Sequence, residues 1–423
     1  MTMAVKSLAA LAGAALMLVG GAMPAFADPV TLTMETWRSE DAKAWNDVII
    51  PAFEKAHPDI HIEFTPTEPT QYDASLLVKF QGGTAGDIIA CRAFDNPLSL
   101  YKQGYLASVK DLKAVANFPA AKLVAWQTDD GSDTFCLPMV GTMHGFIYNK
   151  AIFAELGLQE PKTWDEFHAV LDKIKADGRY TALALGTKDT WADGTMGYLN
   201  IGPQFWQGEA GRLGIINGTM KFTDPQFVAP FTELAKWGQY MAPGFEAQAY
   251  SDSQQLFTLG RAAIYPSGSW EIPGFRADAS FDMGAFKVPT EKAGDKCYVT
   301  DHTDLGIGMN AATKHPAEVK EFLEWTGTDE FAQLLADALP GLFPLSNSKP
   351  TFKDPLATTF ISWRSDCGGT IRLPYQILGR GQPNLDAEIA QDAANVIAGT
   401  QKPEDAAAQI QKDLDSWYKP AAK

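Results

Sequence analysis

The chain has 423 residues, of which 46% are hydrophobic and 20% charged, and a net charge of −16 at pH 7. This length exceeds what one hydrophobic core usually serves, so we expect two domains. The composition is that of a soluble globular protein with sizeable cores, and the excess of acidic over basic residues argues against nucleic acid or anionic lipid surfaces as partners.

The first 27 residues have the pattern of a secretion signal. Lys6 precedes an uncharged run between positions 7 and 22, and Ala25-Phe26-Ala27 is a small-x-small cleavage site. The alternative is a membrane anchor, but the run is shorter than the roughly 20 residues that a span needs. No cysteine lies near the cleavage point, so no residue there could carry a lipid anchor. We predict cleavage after Ala27 and a mature protein, with a net charge of −17, that is free in the periplasm.

Four cysteines are too widely spaced for a zinc knuckle, and no metal site is predicted. They are Cys91, Cys136, Cys297 and Cys367. In an oxidising compartment we expect one or two disulfides rather than free thiols. Four cysteines allow three pairings, and the sequence does not choose among them.

Strands and helices alternate from residue 28 to residue 104. Strands are predicted at 30–36, 60–65 and 87–91, and helices at 44–57, 72–81 and 96–103. This order favours a parallel sheet with right-handed crossovers. In such sheets ligands lie beyond the carboxyl ends of the strands. The residues at these ends are Trp37, Arg38 and Ser39, then Thr67 and Glu68, then Arg92 to Asp95.

A second α/β unit is predicted after residue 150. Thr163 to Glu166 form a capping box at the start of a helix that reaches Ala176. A strand at 181–185 leads into a polar loop, 186–194, around Trp191. Further helices are predicted at 225–241 and 253–259, and a strand from 260 ends in a Gly268-Ser269-Trp270 turn.

Four stretches carry a family resemblance. In chain order they are Leu137-Pro138 with Gly145-Phe146-Ile147-Tyr148-Asn149-Lys150; Gly260 to Trp270, with Ala262-Ala263-Ile264 and Gly268-Ser269-Trp270; Leu305 to Ala311 with a helix at 316–326; and a tail with helices from Leu385 and Pro403. Together they resemble the family 1 extracellular solute-binding proteins, the maltose-binding-protein-like lineage. The likeness extends over essentially the whole mature chain.

The resemblance implies an α/β, type II, two-lobe periplasmic-binding-protein fold, in which each lobe is a doubly wound sheet and a hinge of crossing segments joins the lobes. The expected N-terminal lobe is 28–138 plus 300–345, and the C-terminal lobe is 139–299 plus 346–423. Proteins of this family deliver sugars to ABC importers. The implied partners are therefore a carbohydrate and the permease subunits, and we expect a monomer without cofactor, metal or catalytic residues.

A sugar offers a ring face of C–H groups and a rim of hydroxyls, which match aromatic faces and planar polar groups respectively. Trp37, Trp191 and Trp270 stand at predicted strand ends or in the following loops, and Trp270 also lies in the family-like motif. The complete set of predicted ligand-binding residues is Trp37, Arg38, Ser39, Glu68, Arg92, Asp95, Thr142, His144, Trp191, Gly268, Trp270, Asp301, His302, Asp304 and Arg372.

Two alternatives remain open at this point. A periplasmic glycosidase would need only two well-placed carboxylates, although no recognised catalytic motif is present. A binder of a polyol or of a sulfonated or phosphorylated sugar could use Arg38, Arg92 and Arg372. The stretch from Thr142 to His144 lacks a carboxylate and so departs from the maltose binder. The sequence therefore does not identify the sugar.

Overall fold

The computed structural model describes residues 29–420, so the predicted signal sequence and its cleavage site lie outside the described residues. Ten strands occur in the described part. They are β1 Val30–Thr36, β2 Ile60–Pro66, β3 Ile88–Arg92, β4 Cys136–Asn149, β5 Thr181–Leu183, β6 Ala262–Gly268, β7 Met283–Phe286, β8 Tyr298–Met309, β9 Phe343–Pro344 and β10 Gly368–Thr370.

The strands follow the order β2-β1-β3-β8-β4-β6-β5. As predicted, β1 pairs in parallel with both β2 and β3, because helical crossovers separate these strands along the chain. On the far side, β5 pairs in parallel with β6. We call the part of the molecule around β1, β2 and β3 the first lobe, and the part around β5, β6 and β7 the second lobe.

Two long strands extend from one lobe into the other. Strand β4 is buried at all of its 14 residues. Its first half pairs with β8, and its second half pairs with β6 and β7. Strand β8 pairs with β3 through its last five residues and with β10 through its first three. A third segment passes between the lobes at β9, which pairs with Val140 and Gly141 of β4. This architecture confirms the predicted fold class.

The helices cover the faces of both lobes. The α-helices of the described residues are Ala42–Ala44, Ile50–Ala56, Tyr72–Gly82, Asp95–Lys102, Ala120–Leu123, Lys150–Glu155, Trp164–Asp177, Thr190–Ala192, Leu199–Trp206, Glu209–Ile216, Pro225–Leu234, Tyr250–Thr258, Ile272–Asp278, Pro316–Thr326, Asp329–Ala338, Pro355–Asp366, Leu385–Ile397 and Pro403–Trp417.

Two predicted elements differ from the observed ones. The helix expected at 44–57 is interrupted by the π-helical turn Trp45–Ile49. Pro51 was expected to kink this helix or to start a second helical piece, and it does lie in the first turn of the following helix, where a missing N–H is tolerated. The polar loop expected at 186–194 already becomes helical at Thr190 and continues into the π-helical segment Asp193–Tyr198. Because glycines and polar residues interrupt the hydrophobic periodicity of this stretch, the sequence does not reveal the helix.

All four cysteines form disulfides, Cys91 with Cys136 and Cys297 with Cys367. The first pair links β3 to β4 across β8, which lies between them. A Cβ atom at Gly308 of β8 would lie 2.7 Å from the sulfur of Cys136 and 3.0 Å from that of Cys91. Glycine at this position therefore provides the space for the bridge.

The predicted capping box begins the helix Trp164–Asp177. The Thr163 hydroxyl accepts a hydrogen bond from the backbone N–H of Glu166, and the Glu166 carboxylate accepts from the N–H of Thr163. We expect Thr163→Ala to lower the free energy of unfolding by about 1 kcal/mol, because first-turn amides lose their acceptor. Urea titration measures this loss. Thr163→Ser keeps the hydroxyl and should match the parent, and equal stability of the Ala and Ser variants would contradict the assignment.

Candidate functional site

A cavity of about 530 Å³ lies between the two lobes at the ends of β1, β3 and β6. Its volume is within the range of small-molecule sites. Eight of the fifteen predicted ligand-binding residues line it: Trp37, Arg38, Arg92, Asp95, Trp191, Trp270, Asp304 and Arg372. Residues that were predicted from distant parts of the sequence thus line one cavity.

The other seven predicted residues lie outside the lining of this cavity, and their ligand-binding role stays a prediction. They are Ser39, Glu68, Thr142, His144, Gly268, Asp301 and His302. Glu68 is exposed on the turn after β2. Asp301 forms a two-pronged ion pair with Arg364, with both N···O distances 2.8 Å. Gly268 lies directly beneath Trp270, whose ring leaves no space for a Cβ atom there.

The first lobe contributes a tryptophan that is covered by an arginine. The Arg92 guanidinium carbon lies 4.5 Å from the centre of the Trp37 ring, a cation–π contact. Arg92 Nε donates to Asp73 Oδ2 at 2.7 Å, and its Nη2 donates to the Pro69 carbonyl at 3.0 Å. These bonds fix the guanidinium, so Arg92 holds the wall of the cavity in place.

Arg38 connects the two lobes at the base of the cavity. Its Nε and Nη2 donate to the carboxylate of Asp41 at 2.7 and 3.0 Å, and Nη1 pairs with Glu40 at 2.9 Å. Nη2 also donates to the backbone carbonyl of Trp270 in the second lobe at 3.3 Å. Because the side chain is buried, its charge requires these partners. Arg38 is therefore held by ionic partners of its own lobe.

The second lobe contributes an aromatic wall with a polar support. Trp270 Nε1 donates to the Tyr250 hydroxyl at 3.2 Å, and the Trp191 and Tyr250 rings lie 4.7 Å apart. The Tyr250 hydroxyl donates in turn to Glu271, which also accepts from Gln254 at 2.9 Å. Burial raises the pKa of Glu271 to about 7. This chain of hydrogen bonds fixes the orientation of both rings.

Sequence reasoning missed several residues of the lining, among them Glu40, Asp73, Tyr250, Tyr375 and Asp386. Tyr250 begins a helix, and Tyr375 lies in an irregular segment after β10. The Tyr375 ring lies 5.1 Å from that of Phe94 in the first lobe. Asp73 lies in the first turn of the helix that follows β2, so its proximity to a strand end could have indicated it. No feature of the sequence indicated the two tyrosines.

A pair of buried histidines lies on the crossing strands, behind the wall of the cavity. His144 of β4 and His302 of β8 face each other with their Nε2 atoms 3.2 Å apart. His302 Nδ1 lies 2.8 Å from the Thr303 carbonyl and must donate to it, so His302 Nε2 accepts, from His144 Nε2 and from the Thr142 hydroxyl. The His144 ring meets Trp270 edge to face at 5.1 Å.

The surroundings of both imidazoles favour the uncharged form. Burial, together with the nearby positive charge of Arg372, lowers the pKa of His144 and of His302 well below the usual 6.5. The histidines therefore form a neutral structural link between β4 and β8 rather than a charged binding group.

Among residues 29–420, no group of three or more His, Cys, Asp or Glu side chains is placed to hold a metal ion. Within the same residues, no helix is both long and apolar enough to cross a membrane.

Residues 36–333 match the sequence profile of the bacterial extracellular solute-binding proteins, so the chain belongs to this family. The curated relatives agree with this assignment. The chain is 26% identical over 303 residues to the "Multiple sugar-binding protein" of Streptococcus mutans, covering 68% of this chain and 69% of that protein. It is 27% identical over 248 residues to the "Diacetylchitobiose binding protein DasA" of Streptomyces coelicolor, covering 56% and 55% respectively.

Solved structures share the fold. A chitin oligosaccharide binding protein superposes with a TM-score of 0.76 at 24% identity, covering 92% of this chain and 99% of that one. The protein RafE in complex with raffinose superposes with a TM-score of 0.75 at 20% identity and the same coverage. At these identities the likeness concerns the fold.

The buried histidines make stability depend on pH. Below pH 6.5 His144 and His302 each bind a proton in the unfolded chain but not in the native state. The free energy of unfolding therefore falls with decreasing pH. Between pH 7.5 and 5.5 the parent should lose about 1.4 kcal/mol more unfolding free energy than His144→Gln, which removes one such group. Urea titrations at both pH values measure the difference. The variant His315→Gln, at a histidine that is not buried, should follow the parent, and equal losses in His144→Gln and the parent would refute the argument.

Proposed function

We propose that the protein binds a carbohydrate in the cavity between the lobes, closes around it, and presents it unchanged to the permease of an ABC importer. The observation that carries this proposal is one cavity in which aromatic side chains from both lobes stand beside carboxylates and guanidinium groups. The lobes in this proposal are 28–138 plus 300–345 and 139–299 plus 346–423. The protein acts as a periplasmic monomer, released by cleavage after Ala27.

The aromatic part of the lining suits sugar rings. Trp37 stands on the first lobe, and Trp191, Tyr250, Trp270 and Tyr375 stand on the second. The C–H face of a pyranose can bury itself against such rings, and aromatic faces supply apolar contact with fixed orientation. The first-lobe wall of Trp37 with its covering Arg92 faces the second-lobe rings, so a sugar can be held between the lobes, which couples ligand binding to closure.

The polar part of the lining suits hydroxyl groups. Within residues 29–420, two buried donor atoms of lining residues, Arg372 Nε and Trp191 Nε1, lack a hydrogen-bond partner. Leaving such groups unpaired costs free energy, so a ligand that accepts hydrogen bonds gains by entering. Asp304 and Asp386 also line the cavity and can accept. Sugar hydroxyls both donate and accept, and therefore match both kinds of group.

The relatives support a sugar rather than another solute. Their names and titles refer to multiple sugars, diacetylchitobiose, chitin oligosaccharide and raffinose. Because the family consists of solute-binding proteins, turnover is not part of the proposal. A micromolar affinity requires about 8 kcal/mol, which stacked rings and charge-assisted hydrogen bonds in a closed site can supply.

A thermal-shift screen of the mature protein tests the proposal. Maltose, raffinose, diacetylchitobiose, galactose and sorbitol form the panel, followed by calorimetry of any sugar that raises the melting temperature and by chromatography of the recovered sugar. At least one saccharide should stabilise the protein and return unchanged. Absence of any saccharide response, or recovery of cleaved sugar, would reject the proposal.

Trp270 is expected to contribute a stacking face. Trp270→Leu keeps an apolar side chain but removes the ring and the bond to Tyr250, and should weaken binding of the responding sugar about tenfold, which corresponds to about 1.4 kcal/mol. Calorimetry measures the affinity. Trp164→Leu is the matched control, because Trp164 is 7% exposed and Trp270 8%, both in the second lobe. A control variant that loses as much affinity as Trp270→Leu would count against stacking.

The charge of the lining favours a neutral sugar over an anionic derivative. Three guanidinium groups, those of Arg38, Arg92 and Arg372, face five carboxylates, those of Glu40, Asp73, Asp95, Asp304 and Asp386. Arg38 and Arg92 already have carboxylate partners, so an incoming anion meets net repulsion. We expect the sugar that responds in the screen to bind at least tenfold more tightly than the derivative in which one of its CH2OH groups is oxidised to a carboxylate, as measured by competition calorimetry. Tighter binding of the oxidised derivative would favour the anionic alternative.

A further inference from the structure

Arg380 bridges the two lobes at the mouth of the cavity. Its Nε donates to Asp95 Oδ1 at 2.6 Å, and its Nη2 and Nη1 donate to the two carboxylate oxygens of Asp129 at 2.6 and 3.2 Å. One guanidinium therefore holds two carboxylates of the opposite lobe. We call Arg380, Asp95 and Asp129 the mouth cluster.

The two carboxylates belong to the first lobe. Asp95 begins the helix that follows β3 and lines the cavity. Asp129 lies in the turn between Gln127 and Thr134, which bridge each other, and it also pairs with Lys102 at 3.4 Å. Asp129 is thus held by a contact within its own lobe, whereas the hydrogen bond to the Asp95 carboxylate comes from Arg380.

Arg380 belongs to the second lobe. It precedes the helix Leu385–Ile397, which packs against the π-helical segment Asp193–Tyr198. The segment that carries it is held locally, because Asn384 Nδ2 donates to the Gly379 carbonyl at 2.8 Å and Arg212 Nη1 donates to the Tyr375 carbonyl at 3.5 Å. The guanidinium therefore projects from an anchored segment rather than from a free loop.

We propose that Arg380 is a positioning residue for ligand binding: it fixes the cavity carboxylate of Asp95 and holds the mouth of the cleft closed. The inference rests on the proposed closure of the two lobes. Arg38 already joins the lobes at the base through the Trp270 carbonyl, so Arg380 provides the second point needed to define a closed orientation. The planar fork of arginine suits this role, because it can engage two carboxylates at once.

The mouth cluster is partly exposed, so its strength is modest and depends on salt. Side-chain exposure is 36% for Arg380 and 52% for Asp129. Exposed pairs are individually weak, and salt screens them. Hydrogen bonding by Arg380 lowers the pKa of Asp129, so both partners stay charged at neutral pH. Loss of the cluster should shift the closed-to-open ratio roughly five- to tenfold toward the open form.

Small-angle X-ray scattering of the ligand-free mature protein tests this inference without requiring a known sugar. At about 20 mM NaCl, Arg380→Gln should have a larger radius of gyration than the parent, and at about 500 mM NaCl the parent should expand toward the variant, which itself changes little. Arg380→Lys should restore part of the compaction. Asp129→Asn should reproduce the expansion from the other lobe, with folding of each variant checked by circular dichroism.

Arg179→Gln is the matched control. Arg179 also holds two carboxylates, Asp177 and Glu155, but all three lie within the second lobe. This variant should scatter like the parent at both salt concentrations. If Arg380→Gln and the parent give the same radius and salt response, the inference is overturned. Because no ligand enters this experiment, a failed carbohydrate screen with a salt-dependent radius would reject the proposed ligand and leave the role of Arg380 in closure standing.

Discussion

The antiparallel pairing of β4 with β8 is the constraint on which the rest of the structure depends. Each strand takes part in both lobes, so the same ladder of hydrogen bonds that completes the two sheets also joins them. The ladder is buried, and glycines keep it tightly packed. A Cβ atom at Gly306 would lie 2.5 Å from the Trp126 ring. Joining two lobes through a shared, packed sheet limits their relative motion to a few dihedral angles.

This junction also determines what lies behind the cavity. His144 and His302 are adjacent because their strands are paired, and their burial makes a neutral hydrogen-bonded link less costly than a charged one. Trp270 packs on His144 from the cavity side. The orientation of a lining ring is thereby tied to the strands that connect the lobes. A change in the pairing of β4 with β8 would affect the cavity lining, because one layer of side chains separates these strands from the cavity.

Much of this arrangement could be predicted from particular residues. Val30–Thr36 was expected as a strand because its hydrophobic residues alternate, and Trp37 and Arg92 were expected at the cavity because they follow strand ends. His302 was expected at the cleft because it precedes the return strand, and His144 because it lies in the crossing stretch; the pairing of the two long strands places both behind the wall of the cavity. Tyr250 and Tyr375 follow neither periodicity nor a strand end. Their positions depend on how distant segments pack, which the local sequence does not encode.

Arginines hold the cleft in two ways: Arg38 and Arg380 contact both lobes, and Arg92 orders the wall of one lobe. The sequence contains nine arginines, and four of them, Arg38, Arg92, Arg372 and Arg380, lie in or at the mouth of the cleft. In a chain this acidic, lysines would neutralise charge equally well. A guanidinium differs in presenting several donors in one plane, so it can fix a carboxylate while contacting a ring or a second acceptor. The cleft therefore concentrates arginine, the cation whose planar donors fix the orientation of the groups that it contacts.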